Sequence, residues 1–182
     1  MRTTYAARVR MTQLLYISMA IGVGVGSAMQ VSMVGSLGRV KGPTEAAWIS
    51  LMATVLSISL ALALRSLVRR PPDLPSPFDN AYIFVVLAVC AGIALSISIR
   101  GLSPYLAMAG IFGFIYLACT AFLAPRIGIA LFASAATAGT LSGSVGLDHI
   151  GAFGADVHRL TFLRLCGIAA LLVGVVFVRS GR

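Results

Sequence analysis

Apolar residues run through this chain in six long stretches, separated by short breaks rich in arginine, proline and glycine. The stretches are Thr12 to Leu37, Thr44 to Leu64, Ala81 to Ile99, Pro104 to Leu123, Ile127 to Leu147 and Leu160 to Val178. Each comes close to the roughly 20 apolar residues a helix needs to cross a hydrocarbon layer about 30 Å thick. The pattern predicts an all-α fold, a polytopic membrane helix bundle of about six segments, with residues 1–182 forming a single transmembrane domain. Little chain is left for a soluble domain, so function falls to the helices and their short connections.

The breaks carry recognisable signals. Lys41-Gly42-Pro43 separates the first two segments, and Ser103-Pro104 reads as an N-cap followed by proline at the first helical position. Ala124-Pro125-Arg126 predicts a very tight turn between the fourth and fifth segments. The longest connection, Arg69 to Pro77, has spaced prolines that predict a stiff, extended surface loop. Arg164 interrupts the sixth segment about one turn in, where a long side chain can snorkel to the interface and leave the segment spanning.

Composition sharpens this picture. Of the 182 residues, 59% are hydrophobic and 10% charged, against about 45–50% and about 25% in ordinary globular domains. A chain with so little polar surface is neither disordered nor a water-soluble nucleic-acid-binding domain. The net charge of +9 comes from basic residues at the ends of apolar runs, the placement of membrane-flanking anchors rather than of a DNA-binding stripe. With a cytoplasmic N-terminus and six crossings, 9 basic residues lie inside and 5 outside, which predicts that both termini are cytoplasmic. Arg2 to Arg10, the following apolar run and Gly26-Ser27-Ala28 imitate a cleavable leader, but the apolar stretch continues past that point, so the first segment is expected to be retained. Cys90, Cys119 and Cys166 fall inside predicted helices without metal-ligand spacing and read as small apolar fillers.

Polar residues inside lipid need a reason, either helix packing or a pathway. In the first segment Gly22 and Gly26 form a GxxxG pair that permits close helix approach, and Gln30 follows one turn later on nearly the same face. Its amide is expected to make an interhelical hydrogen bond or to contact a substrate. The fifth segment is the most polar: Thr137, Thr140 and Ser144 recur at helical spacing, and Gly139 and Gly143 are a second GxxxG pair. That face either packs on neighbouring helices or lines a water-accessible cavity. Weaker hydroxyl rows, Ser50, Thr54 and Ser57 in the second segment and Tyr116 with Thr120 in the fourth, read mostly as structural, since hydroxyls can bond their own helix carbonyls.

The loop from Asp148 to His158 holds two aspartates and two histidines, His149 among them, yet their spacing fits no standard metal site. The simpler expectation is a loop tied by Asp148 or Asp156 to Arg159 or Arg164. The segments contain no Asp, Glu or His away from their ends. No catalytic residue, cofactor or metal is therefore expected, and a mid-membrane carboxylate for proton coupling finds no support.

Several of these residues resemble the YdcZ-type family, short bacterial inner-membrane members of the drug/metabolite transporter superfamily. The likeness runs through Ala28-Met29-Gln30, Gly35 to Arg39, Gly42-Pro43 and Ala46 to Ser50. It continues in Gly110 to Tyr116, Ala124-Pro125-Arg126-Ile127-Gly128, Ala138-Gly139, Ser144, Leu147-Asp148-His149-Ile150-Gly151 and Arg164 to Gly167 with Gly174. The Pro-Arg-x-Gly and Asp-His-x-Gly signatures, Pro125, Arg126, Gly128 and Asp148, His149, Gly151, are the most specific part. The resemblance implies half of a full-length transporter, working as a homodimer or with a paired homologous half, on small organic metabolites or toxic compounds. Val34 and Thr140 stand where the family carries Asn and Gln, and Ala81 to Ile99 looks like one segment added to a five-helix plan.

The leading expectation is thus a small-molecule secondary carrier, exporting through a cavity lined by Gln30, Tyr116, Thr137, Thr140 and Ser144. Its expected partners are the lipid bilayer, a small-molecule substrate and a second copy or paired half, with no nucleic acid. The alternative is a non-transporting membrane subunit that stabilises a partner through its GxxxG faces.

Overall fold

The computed structural model describes residues 2–68, 74–159 and 161–180, with side chains described from Met11 onward. Six α-helices follow one another: α1 (Arg2–Lys41), α2 (Pro43–Val68), α3 (Ala81–Ser98), α4 (Ala109–Ile127), α5 (Ile129–Ile150) and α6 (Phe162–Ser180). Short 3₁₀ turns cover Pro104–Met108 and Ala152–Gly154. All six helices are long and apolar enough to cross a membrane, α4 together with the turn before it. There is no strand among the described residues. The reason is the solvent: in lipid every backbone N–H and C=O must be paired within its own segment, and a helix does this.

The helix ends show local sequence at work. Gly42 alone joins α1 to α2; its φ of 102° suits a residue without a Cβ, and Pro43 opens α2 with Glu45 in its first turn. Ser103 caps the 3₁₀ turn as predicted, with Pro104 at its start, although the Ser103 side chain makes no capping bond. Two expectations need correction. The Ala124-Pro125-Arg126 stretch is not the turn: Pro125 stays inside α4, and the chain reverses at Gly128 with φ 84° and ψ 147°. Pro125 gives up a helix hydrogen bond and crowds the Ala121 carbonyl, yet α4 runs two residues past it, whereas Gly128 occupies backbone space open essentially to glycine. The described part of the long connection is also not extended, since Phe78 N–H donates to the Pro75 carbonyl across a turn at 3.0 Å. Arg69 to Asp73 and Leu160 lie outside the described residues.

The chain divides into two compact units, Met1–Ser32 with Ile115–Arg182, and Met33–Phe114. In the first, a core forms around Ile17, Ala20, Leu123, Phe132, Ala135, Ala136 and Val175, drawn from α1, α4, α5 and α6. Tyr16 meets Phe122 edge to face at 6.2 Å between ring centroids, an arrangement that suits the opposed charge of ring face and edge. In the second unit α2 and α3 pack along one another. The buried faces recur at helical spacing: Ala46, Ile49, Ala53 and Ala63 on α2, Phe84, Ala91 and Leu95 on α3. Much of that contact is alanine because helices in lipid gain no hydrophobic energy by associating; close backbone approach and dispersion hold them. Gly110 abuts the backbone of Ala53 and Thr54 for the same reason. Trp48 Nε1 donates to Ser98 Oγ at 3.2 Å, linking the start of α2 to the end of α3.

Candidate functional site: the α1–α5 seam and the α5–α6 loop

Small residues bring α1 and α5 together. A Cβ built on Gly24 would strike the Ala136 carbonyl oxygen, and one on Gly139 would strike the Ile21 carbonyl oxygen. Lower on the same seam, a Cβ on Gly143 would stand 3.0 Å from Ala28 Cβ and 3.2 Å from Val25 Cα. The two backbones are therefore in contact, and each of these glycines is filled by the opposite helix. Gly139 and Gly143 lie on this seam. Gly22 does not: it is exposed and a Cβ there meets nothing within 4 Å. Of the first predicted pair Gly26 is half-buried, but the position in contact is Gly24. Two residues along a helix turn the side chain by about 200°, so Gly22 and Gly24 point to nearly opposite sides.

The candidate pathway residues separate along this geometry. Gln30 is half-buried, but it lies about 120° around α1 from Gly24, so the close seam is not what covers it. Tyr116 packs against the core with its ring 6.2 Å from Phe132. Thr140 is half-buried beside the seam, where its backbone N stands 2.8 Å from a Cβ built on Gly24. Its hydroxyl donates back to the Ala136 carbonyl at 2.9 Å and leaves its oxygen as an acceptor. Ser144 is half-buried, whereas Thr137 is exposed. The three therefore do not form one equally covered row. Thr54, Ser57, Thr120, Ser134 and Ser142 likewise return their hydroxyl protons to carbonyls of their own helices.

The two signature loops are held by backbone geometry. At the α4–α5 reversal Gly128 N–H donates to the Ala124 carbonyl at 2.8 Å. The Arg126 guanidinium lies 3.6 Å from the Phe122 ring centroid and bonds the Phe122 carbonyl, a cation–π contact that fixes the arginine along the end of α4. At the end of α5 Gly151 takes the left-handed conformation, with φ 61°, and a Cβ there would stand 2.8 Å from Val157 Cγ2. The Asp148 carbonyl accepts from both Gly151 N–H and His158 N–H, at 3.3 and 2.9 Å, folding the loop back on the helix end. The Asp148 carboxylate meets Arg164 Nη1 at 3.6 Å, the cross-loop tie expected for this segment. His149, Asp156 and His158 are exposed, and no group of metal-binding side chains gathers among the described residues. Cys119 is half-buried against the core, while Cys90 and Cys166 are exposed on apolar helices.

Two features escaped the sequence reading. One is the contact role of Gly24, whose only signal was its spacing from Ile17, Ala20 and Ala28. The other is a cavity of about 240 Å³ lined by Gln13, Ile127, Leu131 and Arg179, which brings together residues from four separate helices.

A family model described as "Putative inner membrane exporter, YdcZ" matches residues 80–177. The chain belongs to this family. It is a multi-pass inner-membrane protein of an exporter family, a class of transporters rather than of enzymes. The matched region takes in Ala81 to Ile99, the segment read above as an addition to the family plan, along with both signature loops. The resemblance drawn on Ala28 to Ser50 lies outside it. Comparison with curated proteins and with solved structures gave no match.

Proposed function

We propose that this chain is a secondary carrier that exports a small organic metabolite or toxic compound, and that it works as a dimer or with a paired homologous half. Residues 1–182 act as one transmembrane domain with both termini in the cytoplasm. The observation that carries the reading is Gln30, a half-buried residue that brings an amide into the apolar span Met11–Lys41. Burying an amide without a partner costs about 1–3 kcal/mol in proteins, so a polar side chain at this depth is best explained by a wet pathway or a ligand. Tyr116, Thr140 and Ser144 are also half-buried within apolar spans and supply hydroxyl oxygens of the kind that recognise a small organic molecule.

The test compares small molecules inside and outside cells that lack the protein, carry it, or carry Gln30→Leu or Thr140→Val at matched expression. A compound that accumulates inside without the protein, and inside cells carrying either variant, identifies the cargo. If both variants behave as the intact protein on every compound that responds, the pathway residues are wrong. If no compound responds at all, the chain is a non-transporting subunit. Crosslinking in membranes tests assembly: a strict monomer would overturn the paired arrangement.

A further inference from the structure

We infer that the groove between α5 and α6 is a binding site for one anionic phospholipid of the surrounding bilayer, its phosphate held by Arg164 and its acyl chain laid along the groove. The groove encloses about 220 Å³ and is lined by Leu141, Val145, Arg164, Gly167, Ile168 and Leu171. That is below the roughly 300–1,000 Å³ of sites that enclose a drug-sized molecule, and it suits a length of single hydrocarbon chain.

The lining is graded in depth. Arg164 stands in the first turn of α6, at the edge of the span; Gly167 and Ile168 follow one turn in, with Val145 of α5, and Leu171 lies a further turn along, with Leu141. Arg164 to Leu171 covers about 10 Å along the helix axis. A phospholipid has the same order, charge at the membrane edge and hydrocarbon beneath it. The groove also opens where lipid is: α6 is covered least of the six spans, and Leu172, Val176 and Phe177 are exposed. A Cβ built on Gly167 meets nothing within 4 Å, so that stretch of wall is open.

Charge selects the headgroup. Arg164 keeps 39% of its side-chain surface and offers five N–H donors, while its partner Asp148 sits at 3.6 Å, too far for a good hydrogen bond. Nη1 is covered on the side of Asp148, so a ligand in the groove meets the part of the Arg164 side chain that stays exposed. The first turn of α6 carries no acidic residue, so the positive end of the helix dipole adds to the guanidinium charge. A phosphate diester answers both, and a fork of donors matches its oxygens.

The probe is the full chain in mixed micelles with phosphatidylglycerol, phosphatidylcholine or inorganic phosphate, read by native mass spectrometry of retained lipid. Phosphatidylglycerol is expected to be retained in one-to-one ratio and more strongly than phosphatidylcholine, whose choline cation offsets the charge of the same phosphate. Arg164→Gln removes the charged acceptor's partner and lowers retention about tenfold, the loss of one charge-assisted hydrogen bond. Gly167→Leu, at a position with free space, fills the groove without touching the charge and lowers it as well. Equal retention of both lipids by the intact chain overturns the site, as does full retention in Gly167→Leu. Inorganic phosphate displacing the lipid completely at low concentration overturns the role of the acyl groove.

Discussion

Asp148 and Arg164 face each other at 3.6 Å with each on the wrong end of its own helix. Asp148 lies in the last turn of α5, where the helix dipole is negative, and Arg164 lies in the first turn of α6, where it is positive. Each charge is disfavoured by its own helix and stabilised by the other, so the pair couples the two helix ends that the intervening loop joins. Exchanging them, Asp148→Arg with Arg164→Asp, places both charges favourably. The exchanged protein is expected to match or exceed the stability of the original, while either single change lowers it. Because both side chains are about two-fifths exposed, each single loss is held to about 1 kcal/mol or less. Thermal unfolding in detergent, followed by size-exclusion recovery, measures this.

The two glycines Gly22 and Gly139 are expected to respond oppositely to bulk. Gly139→Leu drives a side chain into the Ile21 backbone and costs at least about 1–3 kcal/mol, the range for overpacking. Gly22→Leu meets open space and stays within about 0.5 kcal/mol of the original. The same melting measurement separates them. Equal losses at both positions would refute the seam.

Backbone conformation makes its own prediction at the loop glycines. Gly128→Ala and Gly151→Ala each force a Cβ into positive φ, at a cost of about 1–3 kcal/mol. Gly151→Ala adds the clash with Val157 Cγ2. Gly154, at φ 73° with nothing within 4 Å of a Cβ, carries the conformational cost alone, so Gly154→Ala is the milder of the two loop changes. Protease sensitivity of the 151–159 loop reports the difference directly.

Gly92 and Gly110 provide the corresponding pair in the other unit. A Cβ on Gly92 makes an ordinary 3.8 Å contact with Leu56 Cδ1, so Gly92→Ala keeps the packing and gains up to about 1 kcal/mol of helix propensity. Gly110→Leu collides with the Ala53 backbone and separates the chain there from α2. Trp48 is the one tryptophan in the sequence, and its fluorescence on heating follows the α2–α3 pair through its bond to Ser98.

Much of this protein was written in its sequence. Six apolar runs in a chain of 10% charge permit little except membrane helices, because lipid offers backbone groups no partner outside their own segment. Some local signals were equally readable: Pro104 at a helix start, the break at Lys41-Gly42-Pro43, and an acid–base tie across the last loop, expected from Asp148 or Asp156 to Arg159 or Arg164 and formed by Asp148 and Arg164. What the tertiary structure decided is which side of each helix meets another. Gly22, Gly24 and Gly26 look alike in a sequence, and all permit close approach; only the path of α5 makes Gly24 the contact and leaves Gly22 open. Thr137 and Thr140 differ in cover for the same reason. In water the apolar face of a helix announces its inward side, but here every face is apolar and the periodic signal is lost. Contact is then selected by shape, the fit of small residues against a neighbouring backbone, and shape belongs to the pair of helices rather than to either one.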